Sequence, residues 1–350
     1  MPPSDANRSP RDLLGSSRSE EQLDLIVDPE EDGWRLDRFL SSRAPWRSRT
    51  WHQKRCEAGD VTVDGEPVRA SRRLRPGQRV RVELGQDDRP DRGGDLGDLS
   101  AFPLVVLHED EHLAVVDKPA GMVAHPVGGY RKSTLINVLH AHYRHAADPA
   151  RDRVPTLVNR IDRHTSGLVV VALSDRARQL TAELFADHSR VEKRYLALVE
   201  GHVRDRHGAW EWPIGPDRGH HVRIRRAVVD PPKGRPARTR YEVLSRLQGA
   251  TLLELVLETG RKHQIRVHAA HAGHPLIADR VYGQLRDPTY YADVDQEEFA
   301  AQLEALPIQR HALHAYRLGF DHPVSGSRID VEALMPVDLQ QAIETLSKRS

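Results

Sequence analysis

Hydrophobic positions along this chain recur mostly at strand spacing, and helical spacing is confined to a few stretches. Between residues 34 and 58, "WRLDRFLSSRAP" predicts a short helix with Leu36, Phe39 and Leu40 on one face. "SRTWHQKRCEAG" predicts a second helix, with Ser48 or Thr50 as N-cap and Gly59 as the stop. "DVTVDGEPV" alternates around an Asp-Gly pair, the signature of a hairpin, and "LRPGQRVRVEL" adds a turn and a strand. Further on, "PLVVLHEDEHLAVVDK" reads as two apolar strands around an acidic turn. "GLVVVAL", "KRYLALVEG", "ARTRYEVLSRL", "ATLLELVLETG" and "HALHAYRLGFDHP" read as strands, the first of them fit for full burial. "TLINVLHAHYRH", "SDRARQLTAELFADH" with Ser174 as cap, and "HQIRVHAAHAGH" read as helices.

Many strands between few helices predict an α+β fold with a mixed, largely antiparallel central sheet. A small basic α+β module over residues 23–85 precedes it. Residues 1–22 lack periodicity and are rich in Ser, Asp, Arg and Pro, so a disordered tail is expected there. Residues 86–102, "QDDRPDRGGDLGDLSAF", read as a linker, and 103–345 as the main domain.

Composition narrows the function classes. With 350 residues the chain is long enough for more than one core, and no apolar run approaches the ~18 residues of a membrane span. The N-terminus has no apolar signal region, and Cys56 is the single cysteine, so no internal disulfide or cysteine cluster can form. These features fit a cytoplasmic protein. Net charge is only +1, yet residues 35–83 carry 13 Lys/Arg against 6 Asp/Glu. Such local excess suits a polyanion, although an arginine-rich solvated face is the plainer alternative. Within it, Arg47, Arg49, Lys54 and Arg55 are the candidate contacts for such a polyanion.

Four stretches of the main domain carry chemistry. In "NRIDRHTSG", Asp162 lies between two arginines and before a glycine that tolerates positive φ, so a carboxylate could be presented from a rigid turn. A surface ion pair is the ordinary reading of such an Asp taken alone. In "TGRKHQIRVHAAHAGHPLIADRVYG", Arg261, His263, Gln264 and Arg266 crowd a strand-to-helix junction, a setting for an anion. His268, His271 and His274 follow at intervals of three and could face a metal, but the glutamate of a zinc-protease helix is missing. Tyr195 alternates within "VEKRYLALVEG", where packing is the default role. Pro119, Gly121 and Pro126 stiffen the "DKPAGMVAHP" loop, which could close over a substrate.

Together and in this order, "KPAGMVAHP", "NRIDRHTSG", "EKRYLALVEG", "TGRKHQIRVHAAHAGHPLIADRVYG" and "RHALHAYRLGFDHPVSG" resemble the RluA-type (ribosomal large-subunit) pseudouridine synthase family over about residues 103–340. Residues 33–85 resemble the small RNA-binding domain of ribosomal small-subunit protein four. Asn159 stands where the family usually has His, Ile161 where it has Leu, and Ala278 where it has Gly. Residues 286–308 look like an acidic insertion outside the shared pattern.

The resemblance implies an isomerase that turns uridine in structured RNA into its C-glycoside, with no cofactor and no metal. It implies that Asp162 acts at the ribose as nucleophile or base, with Arg266 as its ion-pair partner and Tyr195 against the uracil, helping in the final proton removal at C5. Arg160 is implied to fill the space of a flipped base, with Arg261, His263 and Gln264 on the substrate. Ribosomal RNA is the expected partner, transfer RNA the alternative, and a monomer the expected state. A non-catalytic RNA-binding factor and a metal-dependent hydrolase built on the histidines are the competing readings.

Overall fold

The structure is a computed structural model that describes residues 22–43, 49–83, 96, 98–127, 130, 132–144, 152–222, 224–285, 287–290 and 294–348. Most of the expected N-terminal tail and linker, together with Arg47 and Ser48, lies outside the described residues. The chain divides into two compact units, residues 1–100 with 125–152, and residues 101–124 with 153–350.

The first unit holds β1 (Gln22–Ile26), α1 (Leu36–Arg43), α2 (Arg49–Ala58), β2 (Val61–Val63), β3 (Glu66–Pro67) and β4 (Arg79–Glu83). Its sheet runs β1-β4-β2-β3, all antiparallel. The predicted hairpin forms because Asp64 and Gly65 both adopt positive φ (54° and 89°), as a tight turn matched to strand twist requires. Leu36, Phe39 and Leu40 pack with Cys56, Val61, Val63, Leu74, Val80 and Val82 in one core. Helix α2 begins at Arg49, so Thr50 lies within it and is not its cap.

The second unit is built on one ten-stranded sheet, with a separate two-stranded sheet besides. It begins with β5 (Val105–Glu109) and β6 (Leu113–Lys118), before the chain returns to the first unit for α3 (Leu135–Tyr143). Then come β7 (Thr156–Leu157), β8 (Ser166–Ala172), α4 (Asp175–Ala186), β9 (Val191–Glu200), β10 (His207–Trp210), β11 (Ile214–Pro216) and β12 (Arg226–Val228). β13 (Thr239–Leu247), β14 (Ala250–Leu257), α5 (Gln264–His271), α6 (Gln296–Glu304), β15 (Leu313–Asp321), β16 (Arg328–Glu332) and α7 (Val337–Lys348) complete it. The strand order is β10-β13-β14-β9-β15-β8-β6-β5, with β16 on β15 and β7 on β8. Among the described residues only β15 and β8 pair in parallel, so the sheet is mixed and largely antiparallel.

Period-two alternation in β9 decides which helix goes where. Tyr195, Ala197 and Val199 pack with Ile265 and Ala269 of α5, while Leu196 and Leu198 on the other face pack with Leu339, Ala342 and Leu346 of α7. Val191, on the Tyr195 face, packs with Leu184 and Phe185 of α4. Ser174 caps α4 as expected, its Oγ accepting from Ala177 N at 3.2 Å.

One expectation needs correction. The "TSG" segment is not a free turn before the strand, since Ser166 and Gly167 are the first residues of β8. Gly167 adopts φ +115°, and a Cβ there would come within 2.1 Å of the Ala315 carbonyl oxygen. The glycine is needed for a close backbone approach as much as for its φ. Within the 286–308 stretch, Gln296–Glu304 forms α6, capped by Asp295, and Leu303, Leu306 and Ile308 pack into the core under α7.

Candidate active site

Asp162 lies on the loop between β7 and β8, and its side chain keeps 27% exposure. Its Oδ2 accepts a hydrogen bond from Arg266 Nη1 at 3.0 Å. Arg266 comes from the first turn of α5, 104 residues away in sequence. The arginine is itself gripped from behind: Nε and Nη2 donate to Asp279 Oδ2 and Oδ1 at 2.7 and 2.8 Å. Such a two-pronged grip fixes a guanidinium plane as a single bond cannot. Asp279 Oδ1 also accepts from Val281 N (2.9 Å) and Tyr282 N (3.0 Å), so this fully buried carboxylate is satisfied on all sides.

Tyr282 closes the circuit. Its ring lies 5.0 Å from the Arg266 guanidinium carbon. Its hydroxyl accepts from Arg226 N at 2.9 Å and contacts His263 Nδ1 at 2.7 Å. The hydroxyl can donate to Nδ1, and in that tautomer neutral His263 carries its ring proton on Nε2. That nitrogen faces Asp162 Oδ1 at 3.8 Å. Burial pushes the His263 pKa down to about 4, so the ring is neutral at physiological pH.

Burial alone would push the Asp162 pKa up. The positive surroundings of His263, Arg266 and His311 outweigh it and hold the pKa at about 2. Because both histidines are themselves driven toward the neutral form by burial, Arg266 is the permanent cation of the set. Tyr195 is buried, and burial together with the nearby Asp162 charge raises its pKa, so the phenol stays protonated.

The loop is tied down from three directions. Thr165 N donates to Asp162 O at 3.1 Å, and Thr165 Oγ1 meets His311 Nε2 at 2.8 Å. Arg310, pinned by Asp338 at the start of α7, donates to the His164 carbonyl at 3.1 Å and to Ser166 Oγ at 3.3 Å. Asn159, at the position where His was expected, accepts from Val170 N at 2.7 Å, so its amide extends the pairing of β8.

Lys118 and Gly121 of the "KPAG" segment bind the loop from below. Lys118 Nζ donates to the carbonyls of Pro119 (2.7 Å), Met122 (2.9 Å) and Arg163 (3.2 Å), and Gly121 N donates to Arg163 O at 2.8 Å. Burial, aided by Arg310, lowers the Lys118 pKa from the usual 10.5 to about 7, with Asp162 pulling the other way. The unfolded chain therefore binds more protons between those values, and this lysine makes stability rise with pH across that window. Lys118→Met removes the effect. Urea unfolding at about pH 6, 8 and 9.5 should show wild type gaining on the variant as pH rises; a pH-independent difference would contradict the assignment.

The expected substrate residues divide. Arg160 is exposed and has no hydrogen-bond or ion-pair partner among the described residues. Arg261 Nε donates to Pro236 O at 3.0 Å, leaving its terminal nitrogens available. Gln264 is not available: it is 3% exposed, and its amide is spent on Arg238 O, Thr239 Oγ1, Thr259 Oγ1 and Arg261 N. Its place is structural. In the first unit, Arg49 is 57% exposed and pairs with buried Asp37 at 2.9 Å. Arg55 pairs with Asp60 at 2.8 Å, and Lys54 is exposed.

The histidine face is likewise occupied. Both ring nitrogens of His268 bond within the protein, to Thr239 Oγ1 and Trp212 O at 2.9 Å each, and His274 Nδ1 meets Glu200 O. No group of three metal-binding side chains occurs among the described residues. Asp279, Tyr282, His311, Arg310 and Lys118 also build the site; the sequence shows them only as polar or charged residues within the motifs, a signal that does not name a partner.

A family model described as RNA pseudouridylate synthase matches residues 112–271, and an S4 domain model matches residues 34–80. An uncharacterized RNA pseudouridine synthase of Bacillus subtilis (strain 168), YlyB, is 35% identical over 93% of this chain and 99% of its own. The ribosomal large subunit pseudouridine synthase D of Zymomonas mobilis is 38% identical over 92% of this chain and 96% of its own. Among solved structures, human RNA pseudouridylate synthase domain containing 4 superposes with a TM-score of 0.54 at 24% identity, over 69% of this chain and 92% of that one. That likeness speaks to the fold. No helix among the described residues is long and apolar enough to cross a membrane.

Proposed function

Because the chain belongs to the RNA pseudouridine synthase family, we propose that Asp162 is the carboxylate that acts at the ribose of the target uridine and that ribosomal RNA is the substrate. The enzyme is an isomerase: the N1–C1′ bond breaks, C5 bonds to C1′, the C5 proton leaves and N1 gains one. Nothing is oxidised and no group donor is consumed. The observation that carries the role of Asp162 is its 3.0 Å bond to an arginine that Asp279 immobilises. Attack at C1′ and proton abstraction from the ribose both need an ionised carboxylate, and the site keeps this one ionised.

Tyr195 stands on the α5 face of β9 near this carboxylate. Its protonated phenol suits a wall and hydrogen-bond donor for the uracil rather than a base for the C5 proton. His263 offers its Nε2 proton toward Asp162 and its substrate. A base in folded RNA must leave its stack before chemistry, at a cost of a few kcal/mol. Arg160 suits the vacated position, because an exposed, unpaired guanidinium can stack on bases. Arg160→Ala should lower kcat/KM by about tenfold to a hundredfold, the worth of one stacking contact, with unfolding temperature unchanged. A drop in unfolding temperature, or wild-type kinetics, would remove Arg160 from that role.

The first unit, through exposed Lys54 and Arg49, suits the RNA backbone, so affinity should weaken as salt rises. The choice of ribosomal RNA leans on relatives named as large-subunit enzymes. Pseudouridine mapping of ribosomal and transfer RNA, from cells with and without the protein, tests it. Loss of sites in large-subunit RNA is expected. Loss confined to transfer RNA would overturn the substrate while leaving the chemistry intact.

A further inference from the structure

Lys193 and His188, which take no part in the Asp162 circuit, lie within electrostatic reach of each other, and His188 within reach of Arg261. Lys193 is two residues before Tyr195 on β9, so both side chains leave the same face, about 7 Å apart along the strand. Lys193 is half-buried. Its one partner among the described residues is the ring of Phe185, 5.0 Å from Nζ; no carboxylate or carbonyl meets it. Burial draws its pKa down to about 8. A desolvated ammonium without an anion is costly, and structures tolerate it where a ligand supplies the charge.

Two further groups converge there. His188, on the turn leading into β9, lies against Gly260, where a Cβ would come within 3.1 Å of the ring. Its Nδ1 is buried with no hydrogen-bond partner among the described residues. Burial, then the charges of Lys193 and Arg261, lower its pKa, which puts all three within electrostatic reach. Arg261 follows Gly260 and has terminal nitrogens to spare. The neighbouring carboxylate, Asp187, is turned to Ser189, whose N and Oγ lie 3.1 and 2.7 Å away.

We propose that Lys193, His188 and Arg261 form a subsite for one backbone phosphate of the RNA, adjacent to the uracil wall at Tyr195. The proposal rests on the synthase reading. The phosphate supplies the charge that Lys193 lacks, and Gly260 leaves room for the His188 ring to face it. Its job is positional: it fixes the strand next to the target nucleoside so that the ribose meets Asp162.

The test uses the full chain and total cellular RNA, labelled with tritium at uridine C5, from cells lacking this protein. Lys193→Met keeps length and apolar packing on Phe185 but removes the charge. KM should rise about tenfold or more, as for loss of a charged hydrogen bond, with kcat within about twofold. The dependence of log kcat/KM on log salt should become shallower by about one, and Lys193→Arg should restore most of both. Independently, the same RNA should slow acetylation of wild-type Lys193 by acetic anhydride at least about fivefold. Unchanged KM and salt slope, a loss in kcat alone, or acetylation unaffected by RNA would each overturn the subsite. If wild type releases no tritium, the synthase reading fails instead, and the acetylation result still decides whether RNA covers Lys193.

Discussion

Asp162→Asn is expected to lower turnover by at least about a thousandfold, some 4 kcal/mol of barrier, while leaving the fold intact. The amide keeps the shape of the carboxylate but carries no charge to act at the ribose. Stability should fall by about 2 kcal/mol, the worth of holding the Asp162 pKa at about 2 instead of the usual 3.8, and by less than for a cut at Asp279, because Arg266 retains its paired bonds to Asp279 after the substitution. The variant should still fold and bind RNA. Since the site holds the Asp162 pKa at about 2, its protonation should leave no acid limb in the wild-type rate profile above about pH 4. A variant with more than a tenth of wild-type turnover, measured by tritium release, would remove Asp162 from the chemistry.

Asp279→Asn should act in the opposite way, on stability first. Asp279 is fully buried and is the principal counter-charge of Arg266, which is itself 6% exposed. Removing one partner of a buried ion pair costs about 3–5 kcal/mol, because the other charge is left uncompensated. For a unit of this size that is a fall on the order of 10 °C in Tm. Activity should fall as well, since Arg266 loses the grip that fixes its plane and Asp162 loses its fixed partner. The contrast is diagnostic: Asp162→Asn loses far more rate than stability, and Asp279→Asn has the larger loss of stability. Equal unfolding temperatures for Asp279→Asn and wild type would show that the arginine is held by something else. Scanning calorimetry of the three proteins decides this.

What could be read from the sequence was mostly local. The Asp64–Gly65 hairpin, the Ser174 cap and the buried run of β8 each follow from a few adjacent residues, and the structure contains all three. The short strands β10, β11 and β12 carry no clear strand signal because glycine, proline and arginine interrupt their alternation. Helix α7 carries Leu339, Ala342 and Leu346 at helical spacing, a signal that was present but unassigned. The contact between Asp162 and Arg266 spans 104 residues, and no periodicity links positions so far apart. Only the resemblance of whole motifs suggested it. Gln264 shows the limit of a motif: "HQIR" gives the residue types, but not that the amide turns inward to Thr239. Ala278 shows another. It holds φ +58° where glycine was the expected residue, a conformation that costs an alanine about 1 kcal/mol or more and that sequence could not reveal.

The most direct measurement is tritium release from uridine-C5-labelled RNA of cells lacking this protein, on addition of purified wild-type enzyme without cofactor or metal. The account predicts release that saturates with enzyme at a discrete set of sites and is absent with Asp162→Asn. No release by wild type, with RNA binding retained, would contradict it and leave an RNA-binding protein that does not catalyse the isomerisation.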